Sequence, residues 1–137
     1  MARMSTPETS SEAAASQRYT PNSIVWNELI TPDPAAAVKF YGGLFGWTAE
    51  TMPMPGMNYT QLKHGGETFG GVMAPKQPGT PPNWMHYVGV TSLEETISKA
   101  TALGAKVCMP PMEIGDTGRI AVLQDPQGAF FGLHQMK

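Results

Sequence analysis

The feature that most constrains this chain is that its order of elements occurs twice. A β-rich run, SIVWNELIT from Ser23, is closed by Pro32-Asp33-Pro34. Asp33 as helix N-cap and Pro34 at the first helical position open AAAVKFYGGLF, which places Val38, Tyr41 and Phe45 on one face for packing onto a sheet, and Gly46 ends it. Three strand-like runs follow, WTAETM, NYTQLKH and TFGGVMA, separated by Pro53, Pro55 and Gly56 and then by Gly65-Gly66. After PKQPGTPPN, with four prolines in nine residues as an extended connector, the order begins again with the strand WMHYVGVT. Ser92-Leu93-Glu94-Glu95 forms a capping box for the helix LEETISKATALG, whose apolar stripe is Leu93, Ile97 and Ala100, and Gly104 stops it. AKVCMPPMEI, GRIAVLQD and AFFGLHQM supply three more strands, joined by Gly115-Asp116 and by the turn Asp125-Pro126-Gln127-Gly128.

The duplication keeps a register. The two helix starts, Asp33 and Ser92, are 59 residues apart, and Phe69-Gly70-Gly71-Val72 corresponds to Phe130-Phe131-Gly132-Leu133 at an offset of 61. The expected fold is therefore α+β, with two βαβββ modules in one domain over residues 23–137: module 1 at 23–74, a linker at 75–83 and module 2 at 84–137. Residues 1–22 carry a Ser/Thr/Glu/Ala composition that buries little, and they are expected to form a disordered N-terminal tail. Charged residues are only 15%, with nine Lys/Arg against eleven Asp/Glu and no basic block, which argues against nucleic acid as a partner. No stretch approaches the ~18 apolar residues of a membrane span. The single cysteine, Cys108, rules out an intrachain disulfide framework and a multi-cysteine zinc site, and a reducing cytoplasmic setting is expected.

Asp33-Pro34-Ala35-Ala36-Ala37-Val38-Lys39-Phe40-Tyr41, then Leu44-Phe45-Gly46-Trp47, and later Asp125-Pro126-Gln127-Gly128 resemble the vicinal oxygen chelate superfamily of glyoxalase I, bleomycin-resistance proteins and extradiol dioxygenases. The resemblance implies paired curved sheets around a cavity, with the modules joined within a chain or between two chains, and a homodimer. It also implies four metal-ligand positions, one on the first and one on the fourth strand of each module. By register these are Trp26, Gly71, Met85 and Gly132, none of which offers an oxygen or imidazole ligand. A slip of one residue would offer Asn27 and His86, but it turns every side chain to the other face. No metal and no other cofactor is therefore expected.

Period-two alternation puts Trp26, Glu28 and Ile30 on the cavity side, with Phe69, Gly71 and Met73, with Met85, Tyr87 and Gly89, and with Phe130, Gly132 and His134. The expected ligand-binding residues are Trp26, Glu28, Phe69, Met73, Met85, Tyr87, Phe130 and His134, an aromatic and Met-rich lining suited to a small, partly apolar molecule. The alternative is that these side chains simply fill a core. Glu28 reads either as a general base raised by desolvation or as a structural partner of Tyr, Trp or backbone donors. His134 reads either as the acid of a Glu28–His134 pair or as part of an exposed terminal strand. The facing of Tyr59 and Gln61 stays open. His86 is expected on the convex side, His64 exposed, Cys108 buried as a small hydrophobe, and Gly70-Gly71 as a place of curvature or close approach.

Binding of a small organic molecule without the family metal is thus the leading expectation. The alternative is a glyoxalase-like isomerase or lyase with Glu28 and His134 as catalytic pair. A third class is an interaction module using the Pro-rich linker and the Met-rich loop from Thr51.

Overall fold

The computed structural model describes residues 20–54, 57–114 and 118–137, with residues 54, 57 and 58 described by backbone alone. Ten elements follow one another: β1 (Ile24–Ile30), α1 (Pro34–Phe45), β2 (Thr48–Met54), β3 (Met57–His64), β4 (Glu67–Met73), β5 (Asn83–Gly89), α2 (Leu93–Ala102), β6 (Lys106–Glu113), β7 (Arg119–Gln124) and β8 (Phe130–Gln135). The strands form one eight-stranded sheet in the order β2-β3-β4-β1-β5-β8-β7-β6. In each module the first strand lies parallel to the fourth, and the modules join within the chain because β1 and β5 pair antiparallel. The repeat register is visible in that pairing: Glu28 is opposite Gly71 as Tyr87 is opposite Gly132.

The helix ends follow the local chemistry. Asp33 Oδ1 accepts from Ala36 N at 3.1 Å, and Ser92 Oγ accepts from Glu95 N at 3.2 Å. Gly46 closes α1 in the left-handed region at φ 76°, with its N–H bonded to Gly42 O. The Asp125 turn is held by Oδ1 accepting from Gln127 N and Ala129 N, each at 2.9 Å. The Gly115-Asp116 turn and the Pro55-Gly56 break lie outside the described residues, as do residues 1–19 of the expected tail. Thr20–Asn22, by contrast, form a turn that feeds β1, and Asn22 N donates to Gly89 O at 2.6 Å.

Both helices cover the convex face, each over its own module's core. Leu29, Leu62 and Val72 form one cluster with Val38 and Tyr41 of α1 packed on it. Val90, Leu93, Ala121, Leu123 and Leu133 form the other, joined by Ile97 and Ala100 of α2 as the stripe predicted. Arg119 of β7 ties α2 down from outside, its two guanidinium nitrogens donating to Glu94 at 2.6 and 2.9 Å. Phe45 departs from expectation: it is 52% exposed and stacks beside Tyr41 and Trp47, and no residue of α1 is buried.

Prolines mark the two edges. Pro53, expected to separate two strands, lies within β2, and Pro110 and Pro111 lie in β6; both are outermost strands, and the β6 ladder is irregular between Met109 and Met112, across its two prolines. β6 also carries irregularities between Val107 and Met109, which leave Cys108 without a partner across the ladder. Cys108 is consequently exposed and not buried as expected.

Candidate functional site

The concave face is built around one buried carboxylate. Glu28 is 4% exposed, the one charged side chain in the buried core of the described residues. Tyr59 Oη donates to Glu28 Oε2 and Tyr87 Oη donates to Glu28 Oε1, both at 2.7 Å. Trp26 Nε1 then donates to Tyr59 Oη at 2.9 Å. A charged acceptor with both oxygens bonded is how a carboxylate tolerates removal from water.

Two glycines make room for the two phenols. A Cβ on Gly71 would overlap Tyr59 Oη and Cζ and stand 2.9 Å from Cε2, and a Cβ on Gly132 would overlap two atoms of the Tyr87 ring and stand 2.8 Å from its Cγ. Close approach is therefore what residues 71 and 132 provide, and an internal ring approaches them. Gly70 answers a different need, because a Cβ there would strike the Asn27 carbonyl of the neighbouring strand.

Burial raises the Glu28 pKa, while the bonds from Tyr87 and Tyr59 and the positive charge of Lys76 pull it partly back. Desolvation followed by the Glu28 charge raises both phenols, so they stay protonated donors. A carboxyl raised in the folded state adds stability that is complete below its unfolded pKa and is lost as pH rises through the folded one. Glu28→Gln removes that titration. The unfolding free energy of the native chain minus that of the variant should then fall as pH rises above the ordinary carboxylate range. Urea denaturation at each pH measures it, and a difference that rises with pH would show a depressed carboxyl instead.

The four register positions do not fit a chelated divalent metal. Glu28 and Tyr87, and not Trp26 and Met85, stand directly beside Gly71 and Gly132, so the quartet nearest the family pattern contains one carboxylate, one phenol and two glycines. The carboxylate oxygens already accept from the tyrosines, and no cluster of three or more His, Cys, Asp or Glu occurs among the described residues.

Trp26, Glu28, Met85 and Tyr87 come together on adjacent positions of β1 and β5, with Met73 of β4 one step further along β1, opposite Ile30. Phe69 does not join them. The β3–β4 ladder slips between Leu62 and Lys63, and this bulge at Phe69 turns its ring to the convex side, 4.6 Å from Trp47 between centroids. Phe130 sits at the start of β8 and is 57% exposed. His134 pairs with Gly89, four residues along β5 from the Glu28 partner Met85, or about 13 Å in the strand direction. The expected Glu28–His134 pair is therefore not assembled, and the tyrosines take its place.

His86 is on the convex side, Nδ1 2.8 Å from Asn27 Oδ1, and His64 is exposed at its hairpin, where it lines a shallow cleft of about 370 Å³ with Trp47, Glu67 and Phe69. Tyr59 is the site residue that the alternation left unplaced. The signal for it was a glycine at the cavity-facing position of the neighbouring strand in each module, a gap that an aromatic ring fills.

A single curved sheet of two joined βαβββ units, with the helices outside and a polar centre on the inner face, defines the class of fold. Within that class, the chain belongs to the Glyoxalase/Bleomycin resistance protein/Dioxygenase superfamily, whose profile matches residues 22–133. The chain is 42% identical over 112 residues to the glyoxylase-named protein CFP32 of Mycobacterium tuberculosis, covering 81% of this chain and 43% of that protein. It is 32% identical over 131 residues to the anthracycline biosynthesis protein DnrV of Streptomyces peucetius, covering 85% and 48%. The chain thus spans about half the length of the curated relatives it matches. Methylmalonyl-CoA epimerase from Mycobacterium tuberculosis shares the fold, with a TM-score of 0.62 at 15% identity over 88% of this chain and 95% of that one. No described helix is long and apolar enough to cross a membrane.

Proposed function

We propose that this chain binds a small, partly aromatic organic molecule on its concave face without a chelated divalent metal. The observation that carries the reading is the state of Glu28: its two oxygens are committed to Tyr59 and Tyr87, and the neighbouring register positions are glycines. The half-buried Trp26 and Met73, backed by the buried Met85 and Tyr87, offer stacking and apolar contact with few polar demands. An isomerase or lyase driven by Glu28 and His134 has less support, because the carboxylate is bonded to the phenols and the histidine stands apart from it. The single exposed cysteine keeps a cytoplasmic setting within the same reading.

The test is a thermal-shift series in EDTA, with an anthracycline, simple aromatic acids and the glutathione adduct of methylglyoxal as probes. A ligand at about 100 times its Kd adds ~2.7 kcal/mol, which raises Tm by roughly 8 °C for a domain of this size. The expected result is such a shift for at least one probe, unchanged when zinc, nickel, manganese or iron is supplied. Stoichiometric metal in the purified protein, or a shift that needs the metal, overturns the reading.

The homodimer belongs to the same proposal. Phe40, Leu44 and Phe45 of α1 are 60%, 58% and 52% exposed, an apolar surface for a second copy to cover. Leu44→Glu is expected to convert a dimer to a monomer in sedimentation velocity, and a native chain that sediments as a monomer refutes this part.

A further inference from the structure

At the mouth of the concave face stands a cation, Lys76, that no carboxylate neutralises by contact among the described residues. Lys76 lies in the linker between β4 and β5, in a bend held by Thr80 Oγ1 donating to Gln77 O at 2.8 Å. Its Nζ reaches Sδ of Met112 in β6 at 4.0 Å. Met112 pairs with Ile120, and Ile120 pairs with His134, so Met112 belongs to the inner row of module 2. The ammonium therefore spans from the end of module 1 to the outermost strand of module 2, across the mouth of the curved sheet. Lys63 and Arg119 are paired with Glu50 and Glu94, whereas Lys76 forms no salt bridge among the described residues and touches only a neutral thioether.

We propose that Lys76 sets the ligand class of this site: the concave face takes an organic anion, its aromatic body against the half-buried Trp26 and Met73 and its carboxylate at the Lys76 ammonium. The proposal rests on the reading that the concave face is the binding surface. A cationic ligand would meet Lys76 at the rim and find the inner carboxylate, Glu28, already bonded by Tyr59 and Tyr87. A neutral ligand would gain only the apolar contact. Charge at a rim position of this kind discriminates between ligands more than it adds affinity.

The experiment titrates the full chain and Lys76→Met with naphthoate and with its neutral isostere naphthamide, by calorimetry at neutral pH in EDTA. Methionine keeps the length of the side chain and removes its charge. Native protein is expected to bind naphthoate about 3- to 5-fold more tightly than naphthamide. Lys76→Met should abolish that preference by weakening naphthoate alone, and about 0.3 M salt should compress it in the native chain. A merely structural role for Lys76 would weaken both probes equally, and that result overturns the assignment. So does unchanged naphthoate affinity in the variant. In either case, continued naphthamide binding that shifts the Trp26 indole resonance leaves the concave-face reading standing. Failure of both probes to bind the native chain overturns that reading and the proposal with it.

Discussion

Gly71→Ala is expected to destabilise the protein by roughly 3–5 kcal/mol, a large share of the 5–15 kcal/mol that holds an ordinary domain together. The reason is local and steric. The added methyl occupies the space of the Tyr59 hydroxyl, so the ring must leave and Glu28 loses a donor. Overpacking of this kind costs about 1–3 kcal/mol, and losing a hydrogen bond to a buried charge about 1.5–3 more. Gly132→Ala should behave alike through the Tyr87 ring. Gly43→Ala is the control: it sits in α1 with nothing within 4 Å of its Cβ position, so it should stabilise by up to about 1 kcal/mol. Urea denaturation measures all three. Tyr59→Ala should make the Gly71→Ala penalty much smaller, because the two changes share one cause. A Gly71→Ala variant as stable as the native chain would remove the steric account of these glycines.

Tyr87→Phe and Tyr59→Phe are each expected to cost about 1.5–3 kcal/mol on the alkaline side of the Glu28 titration, because each leaves a buried carboxylate with one donor fewer. The cost should shrink as pH falls and Glu28 takes up a proton, since a neutral carboxyl needs its donors less. Both variants raise the Glu28 pKa further, so their stability should decline with pH more steeply than that of the native chain. The double variant is expected to cost more than the two together, because the first deletion leaves one donor and the second leaves none. Tyr59→Phe also frees the Trp26 indole N–H, whose proton resonance offers an independent readout. Losses that do not vary with pH would mean that Glu28 does not titrate in the fold over the pH range measured.

The sheet was legible because its signals are local. Asp33-Pro34 and Ser92 start the helices, and Leu93, Ile97 and Ala100 form the stripe that α2 packs onto its module's core. Strict alternation was enough to carry Trp26, Glu28, Met85 and Tyr87 to one face. It failed at Phe69, where a bulge shifts the ladder by a residue and leaves little trace in a pattern of period two, while Cys108, expected to be buried because a lone cysteine behaves as a small hydrophobe, is exposed on an irregular edge strand. Phe45 was misplaced for another reason: a helix wheel shows which residues share a face, not whether the sheet beneath extends far enough to cover them.

By itself the sequence determined that this chain would be a duplicated βαβββ fold, and that its inner face would carry a lone carboxylate among glycines and aromatic residues. Capping, turn chemistry and alternation act over a few residues, and a repeat displays them twice. Only the tertiary structure decided what the carboxylate does. Tyr59 and Tyr87 meet Glu28 from positions 31 and 59 residues away, and His134 misses it, because strand order and register bring distant segments to one point. Those contacts depend on angles accumulated along a twisted sheet.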